Sequence, residues 1–151
     1  MAHDARVIAN MLIKLGAEKN RPLTPMQIIK LVYICHGFML GLYHRPLIIQ
    51  PIEAWKYGPV IETLYESMKK YGGSHVTKEI RLGISFKRKL QLDEYEQDIV
   101  EQVFTKYSHL SGIELSTLTH QPGTPWHIVW YQRGQKRGVI PNDIIESYYS
   151  S

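Results

Sequence analysis

The residues of this 151-residue chain best suited to chemistry are seven histidines and one cysteine. The histidines are His3, His36, His44, His75, His109, His120 and His127. A zinc site carried on a helix shows two ligands four residues apart with a carboxylate between them. No such pair occurs here, nor any His-x-His. His120 and His127 are separated by Pro122-Gly123, so they do not share one helical face. Cys35 and His36 are adjacent, and neighbours on a helix point about 100° apart, which prevents a nucleophile–base pair. Cys35 lies in the most apolar segment and reads as a buried, inert thiol. The sequence carries no Gly-x-Ser-x-Gly, Gly-x-Gly-x-x-Gly or P-loop pattern. Carboxylates gather at 93–101, where a helix amino terminus explains them. This chemistry predicts no metal, no cofactor and no enzyme.

Two aromatic stretches are better candidates for function. Residues 51–60, Pro-Ile-Glu-Ala-Trp-Lys-Tyr-Gly-Pro-Val, place Trp55 and Tyr57 beside a Gly-Pro turn. Residues 115–126 end in His-Gln-Pro-Gly-Thr-Pro-Trp. Each reads either as core and helix capping or as a contact surface, since Tyr and Trp are the common anchors of protein interfaces. Pro59 and Pro125 each read as the first residue of a helix. The expectation is that the two turns lie side by side and form a partner surface. The contact residues would be Trp55, Lys56, Tyr57, Gly58, Pro59, His120 and Trp126.

The elements that must position these residues are mostly helices. A first helix is predicted over 5–15, capped by Asp4 and ended by Gly16 in a left-handed turn. Thr24, Pro25 and Gln27 form a capping-box start for a helix over 25–43, apolar nearly all round and therefore central. Its Ile29, Val32, Phe38, Met39 and Leu42 should be buried. Gly37 and Gly41 share one face of it, where a neighbouring backbone would come close. Residues 47–49 and 52–57 read as extended, 59–71 as a helix, and 75–86 as two short strands. Asp93 and Glu96 open a helix over 94–107, and Ser111 and Glu114 open another to about 119. Helices over 125–132 and 142–149 follow. The fold class is mainly α: one compact domain over 1–151, six to seven helices around the buried helix at about 25–43, with a small antiparallel β element.

Composition bounds the remaining classes. With 44% hydrophobic and 21% charged residues, the chain can bury a globular core. One cysteine excludes an internal disulfide. The start shows no basic-then-apolar export signal. The apolar run 31–43 is shorter than the roughly 20 residues of a membrane span. The reading is a cytoplasmic protein with no membrane association. The net charge of +4 gives a slight preference for acidic partners. Basic residues cluster at 87–89 and 133–137, either as solvated loop ends or as a patch for nucleic acid or acidic protein. A helix-turn-helix beginning at Thr24 would present Glu62, Thr63 and Glu66 from its second helix, and carboxylates repel phosphate.

Three segments carry a family resemblance: Ile28-Ile-Lys-Leu-Val-Tyr33, Glu53-Ala-Trp-Lys-Tyr-Gly-Pro-Val60, and Leu118-Thr-His120 with Pro125-Trp126. In order and spacing they resemble the Panacea domain, the SocA-like antitoxin family, whose label overlaps a phage-associated GepA-like group. The resemblance covers about 24–130. It implies a mainly helical antitoxin, from an operon, prophage or other mobile element, that neutralises a protein toxin encoded beside it. Blocking the toxin directly and delivering it to a protease are both open. No catalytic residues transfer. Trp55, Tyr57, Gly58, Pro59, His120 and Trp126 are signature positions, as core or as contact surface. The alternative is a DNA-binding transcriptional regulator, favoured by the pI near 9.1 and the Thr24 helix. The oligomeric state is left open.

Overall fold

A computed structural model describes residues 2–83 and 92–151. Among them are seven α-helices and one two-stranded antiparallel sheet. Four helices begin as the sequence predicts, because side chains close their starts. In α1 (Ala5–Glu18), Asp4 accepts from the Arg6 N–H. In α2 (Pro25–Tyr43), Thr24 and Gln27 form the reciprocal capping box. In α4 (Glu94–Tyr107), Asp93 and Glu96 do the same, as do Ser111 and Glu114 in α5 (Gly112–Thr119). Between α2 and α4 lie β1 (Glu53–Trp55), β2 (Gly58–Val60) and α3 (Glu62–Met68). The chain finishes with α6 (Pro125–His127), which runs into a π-helical turn at Ile128–Gln132, and α7 (Asn142–Tyr149).

The core surrounds α2. Fourteen of its residues are buried, including Lys30 and His36. Helices α1, α4, α5 and α7 all pack against it. Gly37 and Gly41 admit α7: a Cβ on Gly37 would sit 2.5 Å from the Tyr149 ring, and one on Gly41 2.5 Å from the Tyr149 backbone. His36 joins three segments. Its Nδ1 accepts from the N–H groups of Leu47 (3.2 Å) and Ile48 (3.3 Å), and its Nε2–H donates to Asn142 Oδ1 (2.9 Å) on α7. Cys35 is fully buried, and burial pushes its thiol pKa up. α2 also has the length and composition of a membrane span, because the apolar stretch begins at Pro25 rather than after Lys30. Within the fold, 72% of that stretch is buried.

Several local expectations need correction. α1 continues through Gly16, and the left-handed residue is Asn20 (φ 56°). Gly16 instead allows close approach, since a Cβ there would lie 2.7 Å from the Arg21 carbonyl oxygen. α2 is not enclosed all round in its last two turns: Leu42 is 59% exposed and Phe38 only half-buried. The small sheet is at 53–60 rather than 75–86. Residues 75–83 form no strand, and 84–91 lie outside the described residues, as does the basic run 87–89. Gly58-Pro59 does not open a helix. It forms β2, and α3 starts three residues later at Glu62. In a two-stranded ribbon each strand is an edge, where proline is tolerated.

Candidate functional site

The hairpin β1–β2 is the centre of the site. Its strands pair Glu53 with Val60, Ala54 with Pro59 and Trp55 with Gly58, which leaves Lys56-Tyr57 as a two-residue loop. Gly58 holds φ at +120°, a region that disfavours side chains, and a Cβ there would meet Lys30 Nζ at 3.1 Å and Thr119 Oγ1 at 3.3 Å. The hairpin is therefore pressed onto α2 and α5. Ser116 on α5 donates its hydroxyl to the Tyr57 carbonyl. Lys30 on α2 donates its ammonium to the Pro59 carbonyl at 2.8 Å.

The second predicted turn meets the hairpin from behind. Trp126 donates its indole N–H to the Trp55 carbonyl at 2.5 Å. Its ring packs edge-on to His120 at 5.1 Å and stacks with Trp130 at 5.4 Å. His120 closes α5 as the sequence suggests, its Nδ1–H donating to the Ser116 carbonyl. The two turns thus lie side by side, but their residues divide. Gly58, Pro59 and Trp126 are buried, Trp126 at 3% exposure, and hold the hairpin in place. Lys56 and Tyr57 are exposed, with Trp55 and His120 half-buried at the margin.

The exposed face is a groove of about 550 Å³. Trp55, Tyr57, Tyr65, Trp130, Met26 and Ile29 supply its apolar walls. Its charges are all positive: Lys30, Lys56, Lys69 and Arg137. The second basic cluster is exposed to solvent, and its Arg137 lines this groove. Segment 137–140 runs along β1, with the Arg137 N–H donating to the Ala54 carbonyl (2.7 Å) and the Ala54 N–H to the Gly138 carbonyl (2.9 Å). This places the Arg137 guanidinium 3.9 Å above the Trp55 ring, and Lys136 lies 5.5 Å from the Trp130 ring.

Sequence reasoning missed Lys30. It is 2% exposed, and burial away from water pushes its pKa down to about 7. The signal was present, since a lysine in a helix with almost no solvent face must be buried or reach out along a groove. Among the described residues no group of three or more His, Cys, Asp or Glu is placed to hold a metal ion.

These features define a small, mainly α-helical protein that presents a rigid aromatic and cationic groove beside a buttressed hairpin. Residues 28–127 match the family model described as "Antitoxin SocA-like, Panacea domain", and the chain belongs to that family. It is also similar to Antitoxin SocA of Caulobacter vibrioides (strain NA1000 / CB15N), at 28% identity over 141 residues, covering 90% of this chain and 75% of that protein. No solved structure matches the chain.

Proposed function

We propose that this protein is an antitoxin that neutralises a protein toxin encoded beside it by binding it directly in the cytoplasm, without catalysis. The observation that carries this reading is the family match across residues 28–127, together with a relative that is named an antitoxin. The groove beside the hairpin is the binding face. Its exposed residues are Tyr and Lys, its margins Trp and Arg, and aromatic residues and Arg are enriched in interface anchors. Ser116, Lys30 and Trp126 hold the hairpin backbone, so little conformational entropy remains to be lost when a partner docks.

The test is co-expression of the chain with the product of the adjacent gene in a bacterial host. The wild type restores growth. A Lys56→Glu, Tyr57→Ala double variant melts like the wild type, because both side chains are exposed, yet fails to restore growth. A wild type that gives no protection overturns the antitoxin reading. Full protection by the double variant, with loss on charge reversal at 87–89, moves the binding face to that basic run.

A further inference from the structure

The floor of the groove holds a buried amine, the Lys30 side chain. Lys30 Nζ has three protons to donate, and the hydrogen bond to the Pro59 carbonyl uses one. Among the described residues no carboxylate lies within ion-pair distance of it. Two rim cations differ, since Lys69 pairs with Glu66 at 2.9 Å and Arg137 approaches Glu62 at 3.7 Å, while the third, Lys56, is exposed to water. Lys30 lines the groove together with the apolar side chains already described, and a Cβ on Gly58 would stand 3.1 Å from its Nζ. A buried cation without a counter-charge is costly, and a hydrogen-bonded carboxylate delivered from outside removes most of that cost. Three large apolar side chains, Met26, Tyr57 and Tyr65, stand exposed at the groove mouth. Among the described residues no carboxylate lines it.

We infer that the groove receives an acidic segment of the partner protein, in which a Glu or Asp side chain between apolar residues reaches down to the Lys30 ammonium. The flanking apolar residues pack on Trp55, Tyr57 and Tyr65. The inference deepens the antitoxin reading and rests on it, because it names the chemistry of the toxin surface that this groove accepts. It also assigns Lys30 a second role. Free, the side chain props the hairpin through Pro59. Bound, it becomes the cation of a desolvated ion pair. A carboxylate favours the charged amine, so a proton is taken up whenever binding begins from the neutral form.

The probe is a random peptide library displayed on phage and panned on the full chain, followed by titration of the enriched peptides. Enriched sequences should carry Glu or Asp flanked by aromatic or large aliphatic residues. Their affinity should fall towards tenfold per pH unit above about pH 7. Lys30→Met should weaken them at least tenfold and flatten the pH dependence, while Lys30→Arg retains part of the affinity. Circular dichroism melts of both variants establish that each is folded; if Lys30→Met does not fold, wild-type affinity for the acidic peptides that stays constant between about pH 7 and about pH 9 by itself overturns the inference. Enrichment of neutral or basic peptides overturns the inference. So does no enrichment, or acidic-peptide binding unchanged by pH and by Lys30→Met. In each of these cases, continued protection of cells by the wild type leaves the antitoxin reading standing with a different partner chemistry.

Discussion

Replacing Gly41 with alanine tests the contact on which the core is built. The new Cβ would stand 2.5 Å from the carbonyl carbon and oxygen of Tyr149 and 2.9 Å from the Ser150 nitrogen. Ordinary contact begins near 3.4 Å, so the end of α7 must retreat by about 0.9 Å. The obstructing atoms are backbone, and no rotamer change relieves them. Overpacking of this kind costs about 1–3 kcal/mol. Retreat of α7 also loosens Tyr149, whose ring packs edge-on to Tyr33 at 6.0 Å and to Phe38 at 5.0 Å; such pairs contribute about 0.5–1.5 kcal/mol each. Alanine recovers about 1 kcal/mol through its better helix propensity. The net expectation is a loss of about 2 kcal/mol, or roughly 4–8 °C in melting temperature for a chain of this size. Gly37→Ala should cost less, because its obstruction is the movable Tyr149 ring. Gly73→Ala, with nothing within 4 Å, should be nearly neutral. Urea midpoints and thermal melts rank the three. A Gly41→Ala protein as stable as the wild type would refute the packing of α7 on α2.

Three further predictions concern buried polar groups. Lys30 binds a proton in the unfolded chain up to the usual 10.5 but releases it near 7 when folded. The unfolded state therefore holds more protons between those values, and stability rises with pH there, by about 2–3 kcal/mol from pH 7 to 9 relative to Lys30→Met. Parallel urea profiles for the two proteins would contradict this. Burial lowers the His36 pKa below 6.5, so the unfolded state takes up the proton first as pH falls. Stability should drop as pH is lowered from about 6.5, and His36→Phe should lose that slope and cost about 1–3 kcal/mol, because the Leu47 and Ile48 N–H groups lose their acceptor. Denaturation midpoints at pH 7.5 and 5.5 check both. Trp126→Phe keeps the ring packing but removes the donor to the Trp55 carbonyl, and should lower stability by about 1–2 kcal/mol in thermal melts.

The elements closed by side-chain caps were legible because their signal is local. Thr24 with Gln27, Asp93 with Glu96, and Ser111 with Glu114 each satisfy amides within three residues of themselves. Gly58-Pro59 was misread because a helix start and an edge strand both accept proline. What decides between them is the contact of Pro59 with Lys30, 29 residues away, and of Gly58 with Thr119, 61 residues away. The division of the signature residues was also invisible. Trp55 and Trp126 have the same side chain and similar flanking turns, yet one edges a groove and the other fills space behind it. The contacts that separate them come from elsewhere in the chain: the Trp126 indole N–H reaches the Trp55 carbonyl and its ring packs on His120 and Trp130, while Arg137 lies over Trp55. The apolar neighbours of Leu42 on α2 point to burial, whereas only the other faces of that last turn are packed, Gly41 against Tyr149 and Tyr43 against Tyr95.

The seating of α7 on α2 has a consequence for how the chain is made. Asn142 follows Tyr43 by about 100 residues, so at roughly 5–20 residues per second a ribosome needs about 5–20 s to make the cover after it has made the helix to be covered. During that interval the most apolar segment of the protein has emerged without its closing partner, and closure must await a contact of long sequence separation, which also slows folding. A nascent chain of this build carries that apolar segment without its cover for its first seconds. The supply of functional protein is then set by the rate of that final docking step as well as by the rate of translation.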